Sequence, residues 1–482
     1  MSEPAHPEPA DHARPPGDAP AAALPLSPRE GVAGAAVSGD QAAQAVLVQG
    51  SLRRTIATVA IPAVASMLLM TLFTTVDAYW VGRRIGARGL AAVSTSLFWI
   101  WMLISIAELT SVGLTAVASR RHGERRPQEA ASAVGSALLF ALLLGTVVST
   151  AGLLSLDHLF GVMRTPEEVS SLGKAYLGTY LLGAPLIFGF FAVDGGFRAS
   201  GDTRTPFLLL LCSVAVALVL DPILILGLGP APALGIAGAA VATIFARAAA
   251  FLAGIVLLAR RRLVRARGMA LRTTLAIARI GLPTALTGIA FNVIYVLLTR
   301  ITTRFGTPAL AALGVGHRVE SWSYMIGVGF GVAAAAIVGQ NIGAGQVHRA
   351  ERAGWVATAF ATLVGAAAGL LEFAFAEQFA ALFTTEPEVI AESARYLRIA
   401  AISSAFVGAE LVLEGSLGGA GATLPPMLTS TTLTALRIPL AAWAAARWGT
   451  AGIWWTISLT AAARGLAMVV IWRSGVWKRR AV

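Results

Sequence analysis

The sequence predicts an all-α integral membrane protein with twelve transmembrane helices, set in two six-helix lobes related by a pseudo-two-fold axis along the membrane normal. Three observations predict it: the composition, a series of apolar runs of bilayer length, and a repeat of the chain on itself. Hydrophobic residues make up 56% of the 482 and charged residues 13%, whereas a soluble globule carries about a quarter charged residues. Mean hydropathy is +0.73. Fifty glycines suit helices that pack closely in lipid. A net charge of +12 could suit a nucleic-acid partner. The basic residues, however, fall in short clusters between apolar runs, as they do in cytoplasmic loops. The bilayer is therefore the expected partner and nucleic acid is not.

Residues 1–48 are rich in Pro and Ala and have no hydrophobic period, so a disordered cytoplasmic N-terminal segment is expected. The segment lacks the basic start and apolar centre of a signal peptide. Runs of roughly 20 apolar residues, enough to cross a bilayer, then recur. They fall at about 55–81, 90–118, 130–155, 170–193, 206–227 and 235–259, and again at 275–303, 309–338, 352–376, 389–413, 424–446 and 450–473. The expected lobes are 49–262 and 263–482. The loops 119–128, 198–204, 259–268, 346–352 and 477–480 are basic and alternate with loops that are not. This places both termini in the cytoplasm and the chain in the inner (plasma) membrane. Arg83, Arg84 and Arg88, in the first outer loop, run against that pattern. The single cysteine, Cys212, excludes an internal disulfide and a cysteine metal cluster and reads as a small core residue.

A shift of 220 residues lays "RRIGARGLAAVS" (83–94) on "TRFGTPALAALG" (303–314) and "SGDTRTP" (200–206) on "AGATLPP" (420–426). Gly123 meets Gly343, Tyr176 meets Tyr396 and Gly195 meets Gly415 at the same shift. Near the end of each half "LGIAGAAVAT" (234–243) resembles "WGTAGIWWT" (448–456), with the shift reduced to 214. Each half holds six spans, an even number, so the halves point the same way and a cavity between them is expected.

Ionisable groups inside a bilayer are costly and mark function by default. Asp77 and Asp221 lie in apolar spans, and the 220-residue shift lays them on Leu297 and Ala441. The scaffold is duplicated and these acids are not, which is what an ion site needed only once requires. Glu108 is either a cavity acid or a hydrogen-bonded structural residue. Asp194 and Glu414 are shift-equivalent, and Asp194 is four residues before Arg198, a pairing distance. Glu320 lies one turn from His317, Glu410 one turn before Glu414, and Arg437 and Arg464 are available to those acids. Pro62 and Pro283 are equivalent first-helix prolines, expected to bend their helices. The aromatics Phe73, Tyr79, Trp80, Phe98, Trp99 and Trp101 read as an interfacial belt, some of them lining a cavity. There is no phosphate-binding lysine loop for ATP and no paired histidine zinc motif, so an enzyme is not expected, nor a metal.

"VDAYWVG" with "IGARGLAAVS", "FRASGDTRTP", "LDPILILG", "LGIAGAAVAT", "VGQNIGAG" and "RSGVWKRR" together resemble the MATE (multidrug and toxic compound extrusion) family, its DinF-type branch more than its NorM-type or eukaryotic branches. The resemblance spans about residues 50–480. It implies a monomeric twelve-helix antiporter that expels cationic or amphipathic small molecules by alternating access, with an ion gradient and no cofactor. Asp77 matches the family's first-helix aspartate, Pro62 a proline of the same helix, and Asp221 the fifth-helix aspartate. Asp77 and Asp221 are thus the expected ion-coupling pair and Pro62 the hinge. Glu108, Tyr79, Trp80, Asn292, Glu320 and Glu410 are candidates for the substrate cavity. Two departures bear on the ion. Ala217 stands where the family has an asparagine, and the span 275–303 lacks the carboxylate of the other branches. Both favour protons over sodium. A sodium-coupled exporter and a lipid-linked precursor flippase of related fold are the alternatives.

Overall fold

The computed structural model describes residues 47–163, 167–228, 232–265, 268 and 270–479, with the side chains of all of these except 73–91, 94, 162, 163, 307 and 479. Every regular element among the described residues is helical. The first helical run, Leu52–Gly123, has 72 residues. At about 1.5 Å per residue it is more than three times a bilayer core of about 30 Å, too long for one span. Two stretches of it are apolar enough to cross, α1 (Leu52–Leu72) and α2 (Thr95–Gly123). After them come α3 (Pro127–Leu154), the short α4 (Leu156–Met163), α5 (Glu167–Leu182), α6 (Ala184–Ser200), α7 (Arg204–Leu226) and α8 (Ile236–Arg260). The second half comprises α9 (Leu271–Thr302), α10 (Thr307–Gly343), α11 (Val347–Ala374), the short α12 (Ala376–Ala381), α13 (Pro387–Gly419) and α14 (Leu424–Ser474).

The fourth span is not the straight run expected at 170–193. It is a broken pair, α5 and α6, bent by 51°. Pro185 sits in the first turn of α6 with Gly183 as its N-cap; the missing N–H of a proline is harmless at that position and blocks continuation from α5. The break lets α6 run to Ser200, so Asp194 and Arg198 are helical rather than at a loop edge. The helix α14 is two spans joined at Gly449, whose φ of 58° and ψ of −143° only glycine adopts readily. Gly235, 214 residues earlier, opens α8 with φ 56° and ψ −131°, the same conformation at the same place in the repeat. Counting the bent pair once and α14 twice, the described helices supply the expected twelve spans.

The repeat reaches individual hydrogen bonds. Pro62 lies within α1 and Pro283 within α9, and the carbonyl of each accepts a hydroxyl one turn on, from Ser66 at 2.9 Å and Thr287 at 2.9 Å. Thr203 donates to the Val59 carbonyl at 2.7 Å and Thr423 to the Ile280 carbonyl at 2.6 Å. Both acceptors are three residues before the proline, next to the carbonyl whose helical donor the proline removes.

The halves interlock at the face that carries the basic loops. The first part of α1 (Ile56, Val59, Ala60) packs with Ala333, Ile337 and Ala357 of α10 and α11. The first part of α9 (Ile277, Ile280) packs into the core of the first half. A Cβ on Gly281 would overlap the Leu109 carbonyl of α2, and one on Gly113 the Ile277 carbonyl of α9. At the ends of α2 and α10, a Cβ on Gly123 would overlap the Gln340 carbonyl and one on Gly343 the Arg120 carbonyl. Cys212 is exposed on a face of α7 shared with exposed Leu208 and Val219. It looks toward lipid and is not the core residue expected.

Candidate functional site

The α7 helix carries Asp221, which is 0% exposed, and Ala217 one turn earlier, also buried. Around Ala217 the wall is made by Leu69 and Met70 of α1 and Ala246 of α8. The counterpart of Asp221 in the second half, Ala441, is likewise 0% exposed. The two halves thus bury the same position completely, one with a carboxylate and one with a methyl group. Pro62 is half-buried, on the part of α1 whose flanking residues pack against α10 and α11 of the second half. The side chains of Asp77, Tyr79 and Trp80 lie outside the described residues.

A buried arginine beside these groups was missed in the sequence reading. Arg247, in the middle of α8, is buried, hydrogen-bonds to Met70 Sδ at 2.8 Å and lies 5.2 Å from the Phe190 ring centroid. Asp194 is within its electrostatic reach. A lone Arg in the run "ATIFARAAAF" was the signal available. Asp194 itself makes the expected ion pair with Arg198, at 3.0 Å.

Between the halves, Glu108 of α2 is exposed in the middle of its span, yet it is within electrostatic reach of groups from both halves. These are Asp194 and Arg198 of α6, Glu414 of α13 and Tyr324 of α10. Tyr324 is exposed as well. Glu108 therefore faces an interior space between the halves and not the lipid.

The second half contains a larger polar network. Glu410 pairs with Arg464 at 3.3 Å and accepts from Ser430 at 3.4 Å. Arg464 also donates to Thr434 at 2.9 Å and lies 4.8 Å from the Phe291 ring centroid. Arg437, available to the same acids by its sequence position, donates instead to the Thr460 hydroxyl of its own helix at 2.9 Å. Glu320 accepts from Tyr396 at 2.8 Å and sits 3.8 Å from His317 Nδ1. Asn292 spends its amide on the Gly288 carbonyl of its own helix, at 2.9 Å. Glu372, a buried acid on α11, was also missed; it accepts from Ser404 at 3.2 Å. The structure thus brings Glu410 together with Arg464 and Glu320 with Tyr396 and His317. It sets Asp221 apart, in the other half.

Two interlocked six-span halves with polar groups turned toward a space between them define a membrane transporter. The MatE family model matches residues 62–223 and 283–443, one copy in each half, at an offset of 220 to 221 residues that agrees with the repeat. The chain belongs to this family, whose members are multidrug efflux transporters and not enzymes. It is 28% identical over 444 residues to the probable multidrug resistance protein NorM of Thermotoga maritima, covering 89% of this chain and 94% of that one. It is 25% identical over 427 residues to the FAD transporter of Shewanella oneidensis, covering 87% and 94%. Among solved structures, the outward-facing conformation of a multidrug resistance MATE family transporter of the MOP superfamily superimposes with a TM-score of 0.83. That pair is 23% identical and covers 90% of this chain and 98% of that one.

Proposed function

We propose that the protein exports cationic or amphipathic small molecules in exchange for protons, by alternating access between lobes 49–262 and 263–482. The observation that carries the coupling is the pair Asp221 and Ala441, both fully buried. Packing at this position does not need an acid, so the carboxylate serves something else. Asp77 is its partner in this reading, and Pro62 the point at which α1 responds. Ala217 removes one expected oxygen ligand, and sodium needs several; hence protons. By its motifs the chain falls in the DinF-type branch. It works as a monomer in the inner (plasma) membrane, and the basic face with both termini is cytoplasmic.

A second reading has one observation behind it. Arg247, Arg437 and Arg464 are all buried inside the spans, and one relative is named for FAD. Buried guanidinium groups suit an anionic substrate such as a dinucleotide. The deciding experiment is transport in proteoliposomes, with a cationic dye and with FAD in separate arms, under an imposed proton gradient and then a sodium gradient. Dye export driven by the proton gradient alone is the expected result. Export driven by sodium with the proton gradient collapsed would overturn proton coupling, and movement of FAD without the dye would overturn the substrate class.

A further inference from the structure

Leu47 is only 2% exposed, although it belongs to a segment whose composition looked disordered. It sits at the seam between the halves on the basic face. A Cβ on Gly201, in the α6–α7 connection of the first half, would collide with its Cδ1. Its remaining apolar neighbours include Ile337 of α10 and Ala353 of α11, in the second half. Side chains of the second half hold the backbone there. Asn341 Nδ2 donates to the Leu47 carbonyl at 3.2 Å, and Arg349 Nη2 donates to the Gly50 carbonyl at 2.5 Å and the Leu47 carbonyl at 3.4 Å. Next to them the amide of Gln340, fully buried, donates across the seam to the Ala199 carbonyl at 2.7 Å.

The repeat holds the counterpart of this segment on the opposite half too: ahead of α9, the Arg265 N–H donates to the Ala131 carbonyl at 3.0 Å and the Ala270 N–H to the Ser136 hydroxyl of α3 at 3.2 Å. The side chains that hold residues 47–50 are nevertheless particular to the second half. The 220-residue shift lays Arg121 on Asn341 and Glu129 on Arg349. In the first half these two side chains pair with each other, Arg121 Nε to Glu129 Oε2 at 3.4 Å. In the second half the same two positions instead hold main-chain carbonyls of another segment. Residues 47–50 are thus held by two side chains, Asn341 and Arg349, that have no like at the equivalent positions of the first half.

We propose that residues 47–50 are a latch. Asn341 and Arg349 hold them across the seam while the basic face is closed, and they must leave when the lobes part there. A pull on the chain ahead of Leu47 would then bias the transporter toward opening on that face. This rests on the alternating-access reading above.

The test uses full-length protein carrying Cys212→Ser, with a single new cysteine at Leu47→Cys or, as a reporter of the seam itself, at Ser119→Cys. Ser119 is fully buried on α2, against Gly339 of α10. Vesicles presenting the basic face outward are treated with a membrane-impermeant maleimide, at rest and during dye transport. The expected result is a severalfold rise in labelling at both positions during transport. Arg349→Gln should produce a similar rise at position 47 in the resting protein. A rise at 119 with none at 47 would show a docked segment that never leaves, and would overturn the latch while keeping alternating access. No rise at either position would mean that the seam stays shut, and both would fall.

Discussion

Asp221 and Glu410 are both acids buried inside spans, and their surroundings give them different work. Glu410 has a guanidinium at 3.3 Å and a serine hydroxyl at 3.4 Å. It is one side of a buried ion pair, which costs little while both partners are present and much when one is removed. Glu410→Gln should therefore destabilise the protein by about 3–5 kcal/mol, with Arg464 left uncompensated. Adding Arg464→Met should recover most of that loss, and melting of the four proteins in detergent closes the cycle. If the double variant is as unstable as the single one, the pair is not the source of the cost. Asp221→Asn should leave melting nearly unchanged and abolish gradient-driven export. Asp77→Asn should also leave the protein folded while flattening the pH dependence of cation binding. In the wild type that affinity should weaken as pH falls, because a proton and a cation would favour different states of one equilibrium. Normal transport by both Asn variants would return these acids to a structural role.

At the scale of elements, the prolines of α1 and α9 come with their own supports. Each first helix has a threonine hydroxyl on the carbonyl three residues before the proline, donated from the connection between the fourth and fifth spans. Thr203→Val and Thr423→Val should each cost about 1 kcal/mol, the usual net value of a hydrogen bond. Serine at either place should restore it. The check is thermal melting, and a valine variant as stable as the wild type would show that the carbonyl finds another donor. The sequence carried the two threonines at a shift of 220 and the two prolines at 221, so this much was legible from the repeat. The break between α5 and α6 was not, because the span 170–193 is apolar on both sides of Gly183 and hydropathy does not register a bend. Cys212 was misplaced for a related reason. In a bilayer the lipid-facing and protein-facing sides of a helix are both apolar, so burial cannot be read from residue type there. Leu47 was lost in the opposite way, since a single buried leucine at the end of a Pro- and Ala-rich stretch makes no period.

Across the whole molecule, the contact between the ends of α2 and α10 has a form familiar from oligomers. Position 123 touches the backbone of 340, and position 343 touches the backbone of 120; under the repeat these are one contact, read from either side. An isologous dimer interface has this pattern, in which residue i meets j and j meets i. One sequence would have sufficed to make both sides of the seam. A six-span chain with a glycine at this position could have closed it against a second copy of itself before the halves were joined. The symmetry still sets an expectation for the present chain. Gly123→Ala and Gly343→Ala each push a methyl group into a carbonyl that is part of a helix and cannot turn away. Each should cost about 1–3 kcal/mol, in the range of an overpacked contact, and the two should cost nearly the same. Melting the two variants side by side measures how much two-fold symmetry this contact keeps.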